Sequence, residues 1–138
     1  MRILAVLAVL CFGWAATAQE ARVLPGEPSL EATIQGQIDA FLVDDFGAAF
    51  DFASPMIQQL FGSSENFGSM VRNGYPMVWR PSKLTFLDLR ERGGLLWQQV
   101  LILDGAGQSH VLEYQMIPTQ DGWRINGVSI LQAPGVGA

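Results

Sequence analysis

Few side chains in this sequence could do chemistry, and their spacing limits what they could do. His110 is the sole histidine, so no multi-histidine metal centre can form. It follows the glycine-rich stretch Asp104-Gly105-Ala106-Gly107-Gln108 at the start of a strand, where a loop-edge role competes with acid–base work. Asp44 and Asp45 are adjacent, so on a helix their side chains diverge by about 100° and cannot face each other as a carboxylate dyad. The plain reading makes one of them a helix cap; the sharper reading hangs one of them over the mouth of a cavity. Tyr114 could donate a hydrogen bond to a developing oxyanion. Tyr114, Asp45 and His110 are therefore the catalytic candidates. No carboxylate on the sheet face of Tyr114 is an obvious partner base, because strand alternation turns Asp88 and Glu113 to the opposite face. The chain has no glycine-rich phosphate loop, no local Ser/His/Asp motif and no metal-ligand spacing, so no metal and no cofactor are expected.

A second set of residues could line a pocket. Gln98, Tyr114 and Ser129, with Gly127 leaving a gap, fall at polar or small positions on an otherwise apolar sheet face. Buried polar groups need partners or water, so an internal network competes with the polar lining of a small-molecule site. Phe41 and Tyr75 would complete that lining from the helical side. Arg80 could hold the carbonyls of a helix C-terminus, pair with Asp51 or Asp88, or bind a ligand carboxylate.

These residues must be positioned by two kinds of element that meet at Gly74-Tyr75-Pro76-Met77-Val78-Trp79-Arg80-Pro81. Two prolines fix φ and withhold backbone donors, so no helix runs through this junction. Before it the pattern is helical. Ser29 is a candidate N-cap, and Ile34, Ile38, Phe41, Leu42 and Phe46 form one apolar stripe, with Gln37, Asp39 and Asp44 mainly off it. Asp45 or Asp44 can cap a short helix over Phe46 to Ala53. Pro55 to Phe61 is a further helix ended by Gly62, and Ser63 or Ser64 caps another over Glu65 to Arg72. After the junction come four strands, Lys83–Arg92, Leu95–Leu103, Ser109–Pro118 and Trp123–Gln132. Gly93-Gly94, the Asp104–Gln108 stretch and Asp121-Gly122 are the hairpin turns.

Alternation along this antiparallel meander gives two faces. Thr85, Leu87, Leu89, Gln98, Val100, Ile102, His110, Leu112, Tyr114, Met116, Ile125, Gly127, Ser129 and Leu131 should receive the helices. On the other face Phe86, Leu101, Val111 and Ile130 would lie side by side, rimmed by charge. Such a patch usually marks a contact surface, here a homodimer interface.

The first residues are expected to be an export signal. Arg2, the apolar run Ile3 to Trp14 and Ala16-Thr17-Ala18 give the charge, core and small-x-small order of a cleaved signal peptide, with the cut after Ala18. Residues 19–28 read as a flexible leader, 29–132 as one domain and 133–138 as a frayed tail. Cys11 is the only cysteine and lies in the signal, so the mature chain would have no disulfide and would stand on its core. The formal net charge of −5 works against nucleic acid or anionic lipid as a partner. Periplasmic or secreted location follows from the signal, with no membrane attachment after cleavage.

Helical segments followed by an antiparallel sheet resemble the NTF2-like α+β cone shared with ketosteroid isomerases and polyketide cyclases (the SnoaL-like group). At finer grain, Asp44-Asp45-Phe46-Gly47-Ala48-Ala49-Phe50, Phe52-Ala53-Ser54-Pro55 and Gly74-Tyr75-Pro76-x-x-x-Arg80-Pro81 are similar to a bacterial family catalogued as domain of unknown function 4864 (DUF4864). The resemblance covers most of the chain after Glu27. It implies a cone with three helical segments on a four-stranded or slightly larger sheet, a cavity and pairing through the sheet, but it brings no activity with it. The expected function is a non-enzymatic module that binds a small apolar or amphipathic ligand or a protein. The alternatives are an isomerase-, cyclase- or hydrolase-type enzyme using Tyr114 with Asp45 or His110, and a purely structural homodimer.

Overall fold

The computed structural model describes residues 21–132. The expected signal peptide, its cleavage after Ala18 and the tail at 133–138 lie outside these residues. Within them the chain is α+β, with helices on one face of an open five-stranded antiparallel sheet. The order is β1 (Arg22–Leu24), α1 (Pro28–Leu42), α2 (Phe46–Asp51), α3 (Pro55–Phe61), α4 (Ser64–Gly74), α5 (Pro76–Trp79), β2 (Pro81–Arg92), β3 (Leu95–Asp104), β4 (Ser109–Thr119) and β5 (Gly122–Gln132). The strands lie side by side in sequence order. None of the described helices is long and apolar enough to cross a membrane.

Local chemistry explains most helix ends. Asp45 accepts from the Ala48 amide at the start of α2, Ser54 from Ile57 at α3 and Ser63 from Asn66 at α4. Gly62 ends α3 in the left-handed region at φ 76°. The start of α1 differs from expectation: Glu27 is the N-cap and Pro28 opens the helix. Ser29 is spent elsewhere, donating to Glu27 at 2.7 Å and accepting from the Trp123 indole at 3.1 Å. The apolar stripe also breaks earlier than expected. The helix stops at Leu42, Asp44 takes a positive φ of 56°, and Phe46 belongs to α2. At the proline junction a single turn, α5, fits between Pro76 and Pro81.

Residues 22–24 do not form a free leader. They pair with β2, with Val23 opposite Arg90 and Leu24 opposite Leu89, and so cover an edge that would otherwise show unpaired backbone groups. The sheet therefore has one strand more than the meander alone.

The hairpins have the expected strands and much of the expected register. Arg92 pairs with Leu95, Leu89 with Gln98, Leu103 with Ser109, Val100 with Leu112 and Gln98 with Tyr114. Register shifts change the rest: two lie near strand ends, at Pro81/Lys83 and Val111/Leu112, and two are mid-strand bulges. In β2, Phe86 pairs with Val100 while Leu89 pairs with Gln98, so Leu87 and Asp88 together oppose Gln99. In β5, Ile125 pairs with Met116 and Gly127 with Gln115, so Asn126 is the extra residue. Each bulge reverses the alternation beyond it. Phe86 and Leu84 thus share the side of Val100 and Ile102, and Thr85 turns to that of Leu101. Val128 and Ile130 oppose Tyr114 and Leu112, while Ser129 opposes Glu113.

The core lies between α1 and the sheet. Leu30, Ile34, Ile38 and Phe41 from α1 meet Val100, Ile102, Leu112, Tyr114 and Met116, all buried. Burying a side chain of this size is worth roughly 1.5–3 kcal/mol, so this layer is the main source of stability in a domain whose described residues have no cysteine.

Candidate functional site

The candidate site is a cavity of about 230 Å³ beside the free edge of β5. Its walls come from Gln37 and Phe41 of α1, Ile57, Leu60 and Phe61 of α3, Phe67, Met70 and Val71 of α4, and Ile125, Gly127 and Val128 of β5, with Ala53, Tyr75 and Val78 closing the gaps. No carboxylate, imidazole, ammonium or guanidinium group is in this lining. Phe67 is the aromatic hub, with ring centroids 5.9 Å from Phe41, 5.3 Å from Phe50 and 5.7 Å from Phe61.

The β5 bulge and the helix caps build the cavity together. The connector Phe52–Ser54 pairs with the free edge of β5: Ser54 N donates to Ile125 O at 2.8 Å and Ile125 N to Phe52 O at 2.9 Å. The Ser54 hydroxyl also donates to Asn126 Oδ1 at 2.7 Å. One residue therefore caps α3, joins it to the sheet and holds the bulge residue. α3 lies over the cavity with none of its residues fully buried, and Leu60 at the rim is 71% exposed.

The opposite wall is tied to the end of α1. The Arg80 guanidinium donates to the Phe41 carbonyl and, at 2.8 Å, to Asp44 Oδ1, while stacking over the Trp79 ring at 4.1 Å. Trp79 donates to the same Asp44 oxygen at 2.9 Å. Hydrogen bonds from Trp79 and then Arg80 hold the Asp44 carboxyl below its ordinary pKa. Of the roles open to Arg80, the structure selects the helix C-terminal clamp; its ion-pair partner is Asp44, not Asp51 or Asp88.

Three expected lining residues, Phe41, Tyr75 and Gly127, are brought together here. Gln98, Tyr114 and Ser129 are not. Gln98 is 1% exposed and donates to the carbonyls of Leu87, Asp88 and Gln99, so it holds the β2 bulge. Tyr114 is fully buried, its hydroxyl has no partner among the described residues, and burial pushes its pKa up. Ser129 is exposed and turned away by the β5 bulge.

The acid–base candidates lie outside the cavity lining as well. Asp45 caps α2. His110 sits at the far hairpin, Nε2 2.9 Å from Asp104 Oδ2, and Asp104 also accepts from the amides of Ala106 and Gln108 through its other oxygen. The hydrogen bond to His110, followed by that from Gln108, lowers the Asp104 pKa. The expected outer patch is split. Leu101 and Val111 remain paired on one side, whereas Phe86 packs against the core and Ile130 opposes Leu112. Glu113 does share the outer face with Leu101 and Val111, yet it is 3% exposed and paired with Arg92 at 2.9 Å.

Sequence reading names three of the lining residues, Phe41, Tyr75 and Gly127; it misses the apolar walls from α3 and α4 and, among polar residues, Gln37. Gln37 was placed off the apolar stripe, yet it is 3% exposed and faces the cavity. The signal was its spacing: residue 37 is three after Ile34 and four before Phe41, which puts all three on one helix face.

A family model described as Domain of unknown function (DUF4864) matches residues 24–138. No curated protein and no solved structure matches the chain.

Proposed function

The chain belongs to the family described as a domain of unknown function, DUF4864, and we propose that it is a non-enzymatic binding module holding a small apolar or amphipathic molecule in the cavity between α1, α3, α4 and β5. The observation that carries this reading is the lining: a half-open apolar space with two polar side chains, Gln37 and Tyr75, and no acid, base or nucleophile. Such a make-up is that of small-ligand sites, with a volume just below their usual range of roughly 300–1,000 Å³. A dry apolar cavity of ~150 Å³ already holds one benzene, so about 230 Å³ fits a molecule of two small rings or an equivalent chain. The enzyme alternative has less support, because Tyr114, Asp45 and His110 lie on separate elements and none of them lines the space.

The test is native mass spectrometry of the protein isolated from its own host compartment, beside a Val128→Trp variant that fills the cavity. A bound small molecule present in the former and absent from the latter is the expected result. Equal loading of both would overturn the reading.

Three further questions concern fold, location and assembly. The fold is read as an NTF2-like cone, because helices and bulged antiparallel strands enclose a cavity on one sheet face. Export to the periplasm or outside the cell rests on the sequence of residues 1–18, and an intact mass beginning at Gln19 is its check. Homodimerisation through the outer sheet face retains Leu101 and Val111 as its centre but loses Phe86 and Ile130, which leaves little apolar area to offset the cost of association.

A further inference from the structure

Resting on the reading of the cavity as a ligand site, we propose that its occupant is a neutral, compact hydrophobic molecule bearing a hydroxyl or N–H donor, which it directs at Gln37 Oε1. The argument begins with the orientation of the amide. The Gln37 side chain lies 3.0 Å from the Ala49 carbonyl, which can only accept. The atom facing it must therefore be Nε2, and the amide oxygen is fixed on the other side. Among the described residues no donor reaches that oxygen. It is also absent from the polar atoms sealed among protein without a partner, which are Arg90 Nε, Trp97 Nε1, Gln98 Oε1, His110 Nδ1 and Tyr114 Oη. Gln37 Oε1 is therefore not sealed, and the open space that the Gln37 side chain lines is the cavity.

The second polar group of the lining does not compete for the same role. The Tyr75 hydroxyl donates to the Val128 carbonyl at 3.2 Å, so its proton is engaged and it offers lone pairs. Gln37 Oε1 and the Tyr75 hydroxyl thus both keep free lone pairs, beside one remaining Nε2–H of Gln37 on the side of the amide that faces Ala49. A ligand donor satisfies one of the two acceptors; an ether or a bare ring satisfies neither. A carboxylate would bring negative charge against two acceptors, with no cation in the lining to balance it, at the desolvation cost of a buried unpaired ion.

Four naphthalene derivatives of nearly equal size test this, with binding measured calorimetrically at pH 7. 2-Naphthol should bind about five- to tenfold more tightly than naphthalene or 2-methoxynaphthalene, the gain of one net hydrogen bond, although the hydroxyl weakens the apolar driving force. 2-Naphthoate should bind weakest. In Gln37→Met, which keeps the side-chain length and removes the acceptor, the advantage of the naphthol should vanish while naphthalene still binds. If that variant does not fold, the ranking with the unmodified protein decides alone. Equal affinity for naphthol and its methyl ether, or a naphthoate that binds as tightly as naphthol, overturns the donor inference and leaves the cavity reading intact. Failure of all four to bind overturns both.

Discussion

Gln98 Nε2 lies 3.2 Å from the carbonyl oxygen of Leu87. A glutamine on β3 thereby holds the bulge of β2, reaching Asp88 O at 3.4 Å as well. The bulge in turn brings Phe86 to the helix side of the sheet. A polar residue that alternation assigns to a ligand pocket is instead part of the reason the sheet has its register. Gln98→Leu should leave these carbonyls without their donor and cost about 1–3 kcal/mol. Chemical denaturation would measure it. An unchanged midpoint would show that the bulge stands without Gln98.

Tyr114 makes the opposite case. Its hydroxyl is buried without a partner among the described residues. Removing an unsatisfied donor relieves a desolvation cost, so Tyr114→Phe should leave the Tm unchanged or raise it. A drop of several degrees would reveal a partner for the hydroxyl.

Acid should unfold the protein partly through Asp44 and Asp104, whose carboxyls both titrate below 3.8 when folded. The unfolded chain then binds protons at a higher pH than the folded one. Their stabilisation is fully present above pH 3.8 and is lost as pH falls through the lowered folded values. Asp104→Asn should flatten the acid limb of a stability–pH curve and leave its shape above pH 5 little changed. An acid limb as steep as that of the unmodified protein would exclude Asp104 as a contributor.

Gly68 lies against the Phe46 ring so closely that an added Cβ would fall 2.5 Å from Cδ1. Alanine favours a helix by roughly 1 kcal/mol over glycine, yet overpacking typically costs 1–3 kcal/mol. Gly68→Ala should therefore be net neutral to destabilising and displace Phe46 from the aromatic cluster. A gain in thermal stability would contradict that packing.

Leu101 and Val111 are what the bulges leave of the expected sheet-face patch. Leu101→Glu should accordingly leave the sedimentation coefficient unchanged at tens of micromolar. A shift from dimer to folded monomer would restore the sheet-face interface.

The sequence by itself determined what is local. The helix caps at Asp45 and Ser63 fall within the pairs the sequence offers, Asp44 or Asp45 and Ser63 or Ser64, because each needs only one side chain to reach an amide three residues on. The strands follow from glycine turns, since Gly93, Gly94, Gly107 and Gly122 all adopt positive φ where a bulkier residue would be strained. Family membership was legible in strings such as Gly74-Tyr75-Pro76 for the same reason: it needs no knowledge of contacts.

What the tertiary structure alone decided is where alternation fails. A bulge inserts one residue, and whether it forms depends on partners far along the chain: Gln98 for the one in β2, Ser54 for the one in β5. Those two insertions moved Phe86 and Ile130 off the expected interface and turned Ser129 out of the pocket. The small strand at Arg22–Leu24 likewise carries too short a pattern to read, and exists because β2 offers it an edge. Gln37 stood on the correct helix face throughout, but whether a polar residue there meets a carbonyl, water or a cavity is set by what packs opposite. Here that is the Ala49 carbonyl on one side and the open space beneath α3 on the other.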